Sequence, residues 1–428
     1  MKGLLPCLVL ALACACRPAI AALPIEVGFG THMGQGRAEP RAVAESIVRL
    51  GSPLIRDEIS WGNLEATKGV FAVPERISSI DAFLTASDSR SRAALVLDYG
   101  NKNYDDGGRP LSPAARAGFV RYSAEIARRY RDRVSYLEVW NEWNHGTGMR
   151  DGSVGTASDY MMLAREVVPA IRSTGSKARI LLGSLADDFP DWAFARSLAQ
   201  QGILSLADGF SVHLYNHSMG SKATPEEMLG RLERLQQILR AENKGADFPI
   251  YVTEMGWPTH SRKGGISPAN AGANIGRFLL EATRYPWLKG VWVYELFDGG
   301  RDRGEREQNF GLLDVDGQPK AGTCNVTAAI SLLDGATFVA VGEKGPRSRW
   351  LQFERAGQTV FVAFSKTPGS RAKLETANGV AAVAAPLCAF DPARFASVAA
   401  GSEFVEVSDQ PIVWSIRGVG IRAASIIR

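Results

Sequence analysis

Cysteine is scarce: of five in the chain, three fall within the first 16 residues, and only Cys324 and Cys388 stand beyond them. A small cross-linked scaffold is thereby excluded. Long apolar runs are lacking too. The longest, Leu4 to Ala15, is shorter than the roughly 18 residues a membrane-spanning helix needs. Charge of one sign is missing as well, since 49 basic and 45 acidic residues leave a net charge of +4, so nothing suggests nucleic acid as a partner. Several signatures of chemistry are absent. No G-x-G-x-x-G follows the first strand-like run, no G-x-S-x-G follows any, and no H-E-x-x-H occurs, which argues against dinucleotide binding, a serine hydrolase and a zinc protease. The five histidines, at 32, 145, 213, 217 and 260, show no H-x-H after the first strand, so no metal is implied. What remains, 45% hydrophobic and 22% charged residues without low-complexity bias, describes an ordinary soluble globular protein.

Residues 1–21 read as a secretory leader: Lys2 supplies the early positive charge, the short apolar stretch follows, and Ala19-Ile20-Ala21 is an A-x-A cleavage site. Cleavage after Ala21 removes Lys2 and Arg17 and no acid, lowering the net charge from +4 to +2. Export to the periplasm or the extracellular medium is expected. Cys14 and Cys16 raise lipid attachment as a rival, but Ala11 rather than leucine stands three residues before Cys14. In an oxidising compartment Cys324 and Cys388 either pair or remain two separate buried thiols.

From residue 22 to 333, apolar strand-like runs alternate with amphipathic helical ones. Eight strands are expected, at 25–29, 53–56, 93–98, 135–141, 179–183, 209–214, 249–254 and 290–294. The helices between them carry clear starts: Ser112-Pro113 and Ser267-Pro268 pair an N-cap with proline at the first helical position, and Thr224-Pro225-Glu226-Glu227 adds a capping-box glutamate. Met228, Leu232, Leu235 and Leu239 share one helix face. Eight βα units over this length predict a (β/α)8 TIM barrel rather than a doubly wound open sheet. From 334 to 428, short β-branched and aromatic runs at 337–341, 350–353, 359–364, 403–407 and 412–416, broken by Gly, Pro, Ser and Asp, predict a small antiparallel β-sandwich. Its role reads as buttressing the barrel before carbohydrate binding. Nothing specifies an oligomer, and a monomer is the expectation.

Two runs stand out. Tyr136-Leu137-Glu138-Val139-Trp140-Asn141-Glu142-Trp143 and Pro249-Ile250-Tyr251-Val252-Thr253-Glu254-Met255-Gly256-Trp257 each place a glutamate among aromatics at the C-terminal end of a strand, the fourth and the seventh. Barrels of this kind keep their chemistry at that end. Paired carboxylates there suit glycoside hydrolysis, in which one protonates the leaving oxygen and the other attacks the anomeric carbon; the bland alternative is two salt-bridged acids. Glu142 is the expected acid/base, its proton favoured by burial and a nearby carboxylate. Asn141 beside it suits a sugar 2-hydroxyl. Glu254 is the expected nucleophile, with Arg56 and Tyr215 as donors to its charge, although Arg56 has a rival bridge to Asp57 or Glu58. His213 and Tyr215 alternate onto the same side of the sixth strand. Trp61, Trp140, Trp143, Trp257, Trp292 and Tyr294 offer aromatic faces near the site; each alone reads as packing, with Trp143 and Trp257 favoured as sugar platforms. Glu295 and Asp298, at the end of the eighth strand, are further carboxylates there.

Trp140-Asn141-Glu142, His213-Leu214-Tyr215, Thr253-Glu254-Met255-Gly256-Trp257 and Asn309-Phe310-Gly311-Leu312-Leu313-Asp314 together resemble the clan A retaining glycoside hydrolases, most of all glycoside hydrolase family 39 and, within it, glycosidases of bacterial exopolysaccharide loci. The resemblance spans the barrel and implies acid/base for Glu142, nucleophile for Glu254, supporting roles for Arg56, Asn141, His213 and Tyr215, a polysaccharide or oligosaccharide substrate, and no cofactor. A non-catalytic polysaccharide-binding protein on the same barrel and a transglycosylase are the rivals.

Overall fold

The computed structural model describes residues 24–427 apart from 86–91, 132, 187, 189, 345–347, 377–383, 391–404 and 418–420; the expected leader, 1–21, lies outside the described residues. Eight parallel strands, β1 (Glu26–Gly30), β2 (Leu54–Glu58), β3 (Arg92–Leu97), β4 (Val134–Val139), β5 (Arg179–Leu185), β6 (Gly209–Leu214), β7 (Ile250–Met255) and β8 (Leu288–Val293), pair in chain order and close into a barrel. Closure is made at β1, where Phe29 pairs with Ile55 on one side and Val293 on the other. The near-continuous apolar character of these strands follows from burial on both faces.

The N-terminal half of the barrel is solid. Leu54, Ala94, Tyr136, Leu181, Tyr251 and Trp292, one from each of six strands, form a closed cluster inside it. Gly28 makes room for the largest of them, since a Cβ there would fall 2.3 Å from the Trp292 ring. The helices pack outside. Ser112, Thr224 and Ser267 accept the expected cap bonds from the N–H of Ala115, Glu227 and Asn270, each at 3.2 Å, and Met228, Leu232, Leu235 and Leu239 are fully buried. The capping box is only half made, because the Glu227 carboxylate accepts from Asn216 (3.0 Å) and Arg231 (2.7 Å) instead of returning to Thr224.

After the helix Thr323–Leu333 the chain forms β9 (Ala336–Glu343), β10 (Ser348–Arg355), β11 (Gln358–Ser365), β12 (Arg371–Thr376), β13 (Ala384–Pro386), β14 (Val405–Glu406), β15 (Ile412–Arg417) and β16 (Ile421–Ile427). They make two antiparallel sheets, β13-β15-β11-β10-β9 and β14-β12-β16. Phe361, Ala363 and Trp414 of the first sheet share a core with Ala372 and Ile426 of the second. β12, β13 and β16 lie outside the runs expected from the sequence. In β12 only Ala372 and Leu374 are apolar among charged neighbours, and a three-residue link, 418–420, separates β16 from β15.

The sandwich is tied to the barrel by a shared apolar cluster that includes Leu351, Phe353 and Val413 and by several specific contacts. Arg349 of β10 pairs with buried Glu281 of the helix Pro268–Ala282, the Arg277 guanidinium lies 4.3 Å over the Phe364 ring, and Cys324 and Cys388 are joined in a disulfide with Cα atoms 4.8 Å apart. Both cysteines are exposed, which corrects the alternative of two buried thiols. The bridge closes a loop of sequence separation 64, long enough that cross-linking restricts the unfolded chain appreciably, typically by about 2–4 kcal/mol. Replacing both cysteines with serine, or adding dithiothreitol, should therefore lower the thermal midpoint of the sandwich, read by differential scanning calorimetry. An unchanged thermogram would show that the bridge contributes nothing.

Candidate active site

Arg56, the third residue of β2, is 7% exposed and points into the C-terminal half of the barrel. Four groups meet its fork. Nε donates to Glu138 (2.8 Å), Nη1 to Glu254 (2.6 Å) and Nη2 to the Asn141 side-chain oxygen (3.0 Å), with His213 Nε2 3.2 Å away. Burial would weaken the guanidinium's hold on its proton, but Glu138 and Glu254 reverse the effect and raise its pKa. The rival bridge to Asp57 or Glu58 is not made: the Asp57 carboxylate is taken by Thr31 and by the N–H groups of Met33 and Gly34.

Glu254 receives a second donor, the Tyr215 hydroxyl at 2.8 Å, so its two oxygens are held by the two residues expected of them. Asn141 in turn donates to the Tyr99 hydroxyl (2.7 Å). His213 Nε2 faces Arg56 Nη2, and its Nδ1 lies 3.0 Å from Glu142 and 3.6 Å from Glu254. Burial disfavours a charged His213, yet the carboxylates of Glu254 and Glu142 outweigh it and raise its pKa.

Glu142 follows β4 with φ 52°, and Trp140 has φ 68°. Side chains seldom adopt this left-handed region. The N–H of Glu142 donates to Ser184 O at 2.8 Å, fixing a tight turn that swings the carboxylate toward Glu254. Thr147 donates to the other Glu142 oxygen, and His145 lies 2.7 Å from the Thr147 hydroxyl. The protonation expected for the ligand-free acid is corrected here. Burial does push the Glu142 pKa up, but the hydrogen bond and charge of His213, followed by Thr147, bring it down to about 2.

Oxygens of Glu142 and Glu254, with a His213 nitrogen, all lie within 4.8 Å of one another. That is the close spacing of retaining glycosidases, about 5–5.5 Å, rather than the roughly 6.5–9.5 Å of inverting ones. The trio has the geometry of a cation site, but the Arg56 guanidinium on Glu254 already supplies the positive charge there.

Both glutamates open onto a cavity of about 370 Å³, within the usual range for ligand sites. Arg56, Asn141, Glu142, Tyr215, Glu254 and Tyr294 line it, with His213 beneath. The favoured sugar platforms are elsewhere. Trp143 is fully buried, donating to Thr156 O (2.9 Å) under the Arg109 guanidinium; Trp257, 1% exposed, faces a separate small void with Pro268 and Ile275; Trp292 belongs to the barrel plug and donates to Ile55 O. None offers a ring face to a ligand, because each fills a gap between elements. Trp61 and Trp140 are likewise fully buried. The aromatic wall that lines the cavity is half-buried Tyr215 and Tyr294 with buried Phe310, packed edge to face at 5.3–6.1 Å. Glu295 is occupied by His32 (3.0 Å) and Asp298 by Lys320 (2.5 Å), so neither competes for a catalytic role. Tyr99, Thr147, His32, Glu58 and Phe310 also reach the cavity. Of these, only Phe310 lies in a motif recognisable from the sequence.

A closed (β/α)8 barrel with two glutamates facing one cavity at the ends of its fourth and seventh strands defines a clan A glycoside hydrolase. Within that class the chain belongs to the cellulase family, glycosyl hydrolase family 5, whose profile matches residues 25–278. Solved structures of similar fold include a family 39 glycoside hydrolase from Bacteroides cellulosilyticus WH2 (20% identity, TM-score 0.73, covering 94% of this chain and 81% of that one). A family 39 β-xylosidase from Caulobacter crescentus (14%, 0.58, 93% and 98%) and a family 5 enzyme from Streptomyces cattleya in complex with GlcNAc (17%, 0.57, 72% and 80%) share it too. No curated protein matches. Among the described residues, no helix is long and apolar enough to cross a membrane.

The depressed Glu142 pKa has a consequence for stability. A carboxylate at about 2 in the folded chain against 4.5 unfolded stabilises the fold fully above pH 4.5, and the contribution, about 3 kcal/mol, is lost as pH falls toward 2. Urea unfolding between pH 2 and 6 should show a shallower acid slope for Glu142→Gln than for the wild type; identical slopes would place the depressed pKa elsewhere.

Proposed function

We propose that the chain is an exported retaining hydrolase that cleaves a polysaccharide of the bacterial extracellular matrix at internal bonds, by double displacement. The observation that carries the reading is the pair of carboxylates within 4.8 Å facing one cavity, one held as an anion by Arg56 and Tyr215, the other on a turn of its own. Glu254 attacks the anomeric carbon while Glu142 protonates the departing oxygen. Glu142 then takes a proton from water, and the hydroxide releases the sugar. Asn141, fixed by Arg56 and Tyr99, is placed to bind the 2-hydroxyl. The leader 1–21 and the single disulfide support export. Internal cleavage is supported by an exposed rim, since His145, 67% exposed, and Arg306, 54% exposed, both line the cavity.

Because Glu142 is ionised in the ligand-free site, its acid form has to be made as substrate arrives. Displacing water from around the two carboxylates raises the repulsion between them and the cost of the Glu142 charge, and both push its proton affinity up. Binding of an unreactive substrate analogue at neutral pH should therefore take up close to one proton, measured by calorimetry in buffers of different ionisation enthalpy. No uptake would mean that Glu142 already carries its proton.

The reading is tested on extracellular polysaccharide with the wild type, Glu142→Gln and Glu254→Gln. Each variant should lose activity by at least about 10²–10⁴-fold, and the newly formed reducing ends, followed by NMR, should keep the anomeric configuration of the bond cleaved. Equal turnover by all three would leave a binding protein. Products longer than the substrate would make the chain a transglycosylase.

A further inference from the structure

One pair of acids beside the site takes no part in the chemistry above. Glu58 ends β2, two residues beyond Arg56, so the two side chains share a face of the strand, with Glu58 nearer the mouth. Its carboxyl lines the cavity with His32, Gln35 and Tyr99. Behind it, Asp98 follows β3 and is 1% exposed, and neither of its carboxyl oxygens has a donor. The neighbour they meet is the Glu58 carboxyl. Two carboxylates cannot hydrogen-bond without a proton between them. Burial, then the Glu58 charge, holds the Asp98 pKa well above the ordinary carboxylate range, and burial followed by Asp57 raises that of Glu58. The proton therefore belongs to the pair, and the Glu58 carboxyl, backed by Asp98 and bonded at its side by Gln35, keeps acceptor lone pairs toward the cavity. The charges around it reinforce this. The Arg56 fork is spent on Glu138, Glu254 and Asn141, His32 on Glu295 and Arg306 on Glu307; His145 lies 3.8 Å from Glu142, and burial lowers the His217 pKa to about 4, so the cationic groups lining the cavity already face carboxylates or are neutral.

Resting on the reading of the cavity as a sugar site, we infer that Glu58, backed by Asp98, is a specificity-determining residue that binds ring hydroxyls of an uncharged sugar beside Glu254 and excludes a uronic acid there. A hydroxyl donates to the Glu58 oxygens and loses no partner on leaving water. A sugar carboxylate would bring a further negative charge to a wall that already carries the Glu58–Asp98 pair, and would be repelled on losing its water.

The test is binding rather than turnover. It uses the Glu142→Gln background, in which bound glycans are not consumed, and an array of neutral oligosaccharides (gluco-, manno-, galacto- and xylo-oligomers) beside oligouronates from alginate and polygalacturonate. Neutral oligomers should bind and oligouronates should not. Adding Glu58→Ala should weaken neutral binding at least about tenfold, as removal of hydrogen bonds to a charged group does. Asp98→Asn, which keeps a neutral hydrogen-bonding group behind Glu58, should leave affinity within a few-fold of the background. A purely structural role would separate the two variants in thermal midpoint but not in glycan affinity. Oligouronates bound as tightly as neutral oligomers, no neutral oligomer bound at all, or Glu58→Ala without effect on affinity would each overturn the inference. Neutral binding lost on Glu58→Ala, together with a wild type that turns over nothing, would sink the hydrolase reading and leave the specificity wall in place.

Discussion

A buried guanidinium has to be surrounded before it can be tolerated, and in this barrel that requirement organises the site. Arg56 reaches from β2 to groups on or just beyond β4, β6 and β7: Glu138 and Asn141, His213, and Glu254. Isolated, such a charge would be expelled from the interior; with two carboxylates and two further polar groups in one plane it becomes the keystone of four strand ends. Glu138 is the balancing partner, fully buried, with a pKa lowered against the penalty of burial chiefly by Arg56 and also bonded by Thr253 at 2.6 Å. The position of Glu254 is thus set by a network that reaches well below the cavity floor, so its geometry does not depend on the loops above.

Glu142 is held by different means. Its carboxylate rests on one buried contact, His213, and one half-exposed loop, 145–147, while its backbone sits in a left-handed turn fixed by Ser184. The contrast suits two carboxylates with two tasks. A group that must remain charged is clamped by permanent cations and hydroxyls. A group that must gain and lose a proton within one cycle is poised where the arrival of a ligand changes its surroundings. His213 stands between the two glutamates, 3.0 Å from Glu142 and 3.6 Å from Glu254.

Much of this was readable from the chain, and what was not has physical causes. The strands announced themselves because burial on both faces demands continuous apolar runs, and the helices because proline and a hydroxyl residue mark their starts. Glu142, Glu254, Arg56, Asn141, His213 and Tyr215 could be named because strand ends of a barrel converge on one mouth. The tryptophans misled because the same ring that stacks on a sugar also fills a gap in a core, and the sequence does not reveal that Gly28 leaves a space for Trp292 or that Thr156 caps the Trp143 indole. Thr147, Tyr99 and Glu58 carry no local signal; only closing the ring brings them near the glutamates. The sandwich strands β12 and β16 escaped because charged and small residues blur their alternation.

The Trp292 plug bears on traffic. A barrel stoppered across its lower half opens at its upper end, so on the proposed function the incoming chain, the departing fragment and the molecule of water that completes the cycle all pass through that opening. On that proposal, water would reach the covalent intermediate through space that the leaving sugar has vacated. How fast that fragment clears the rim then decides whether the bond is hydrolysed or handed to another sugar, and a tryptophan remote from the reacting atoms has a say in the product.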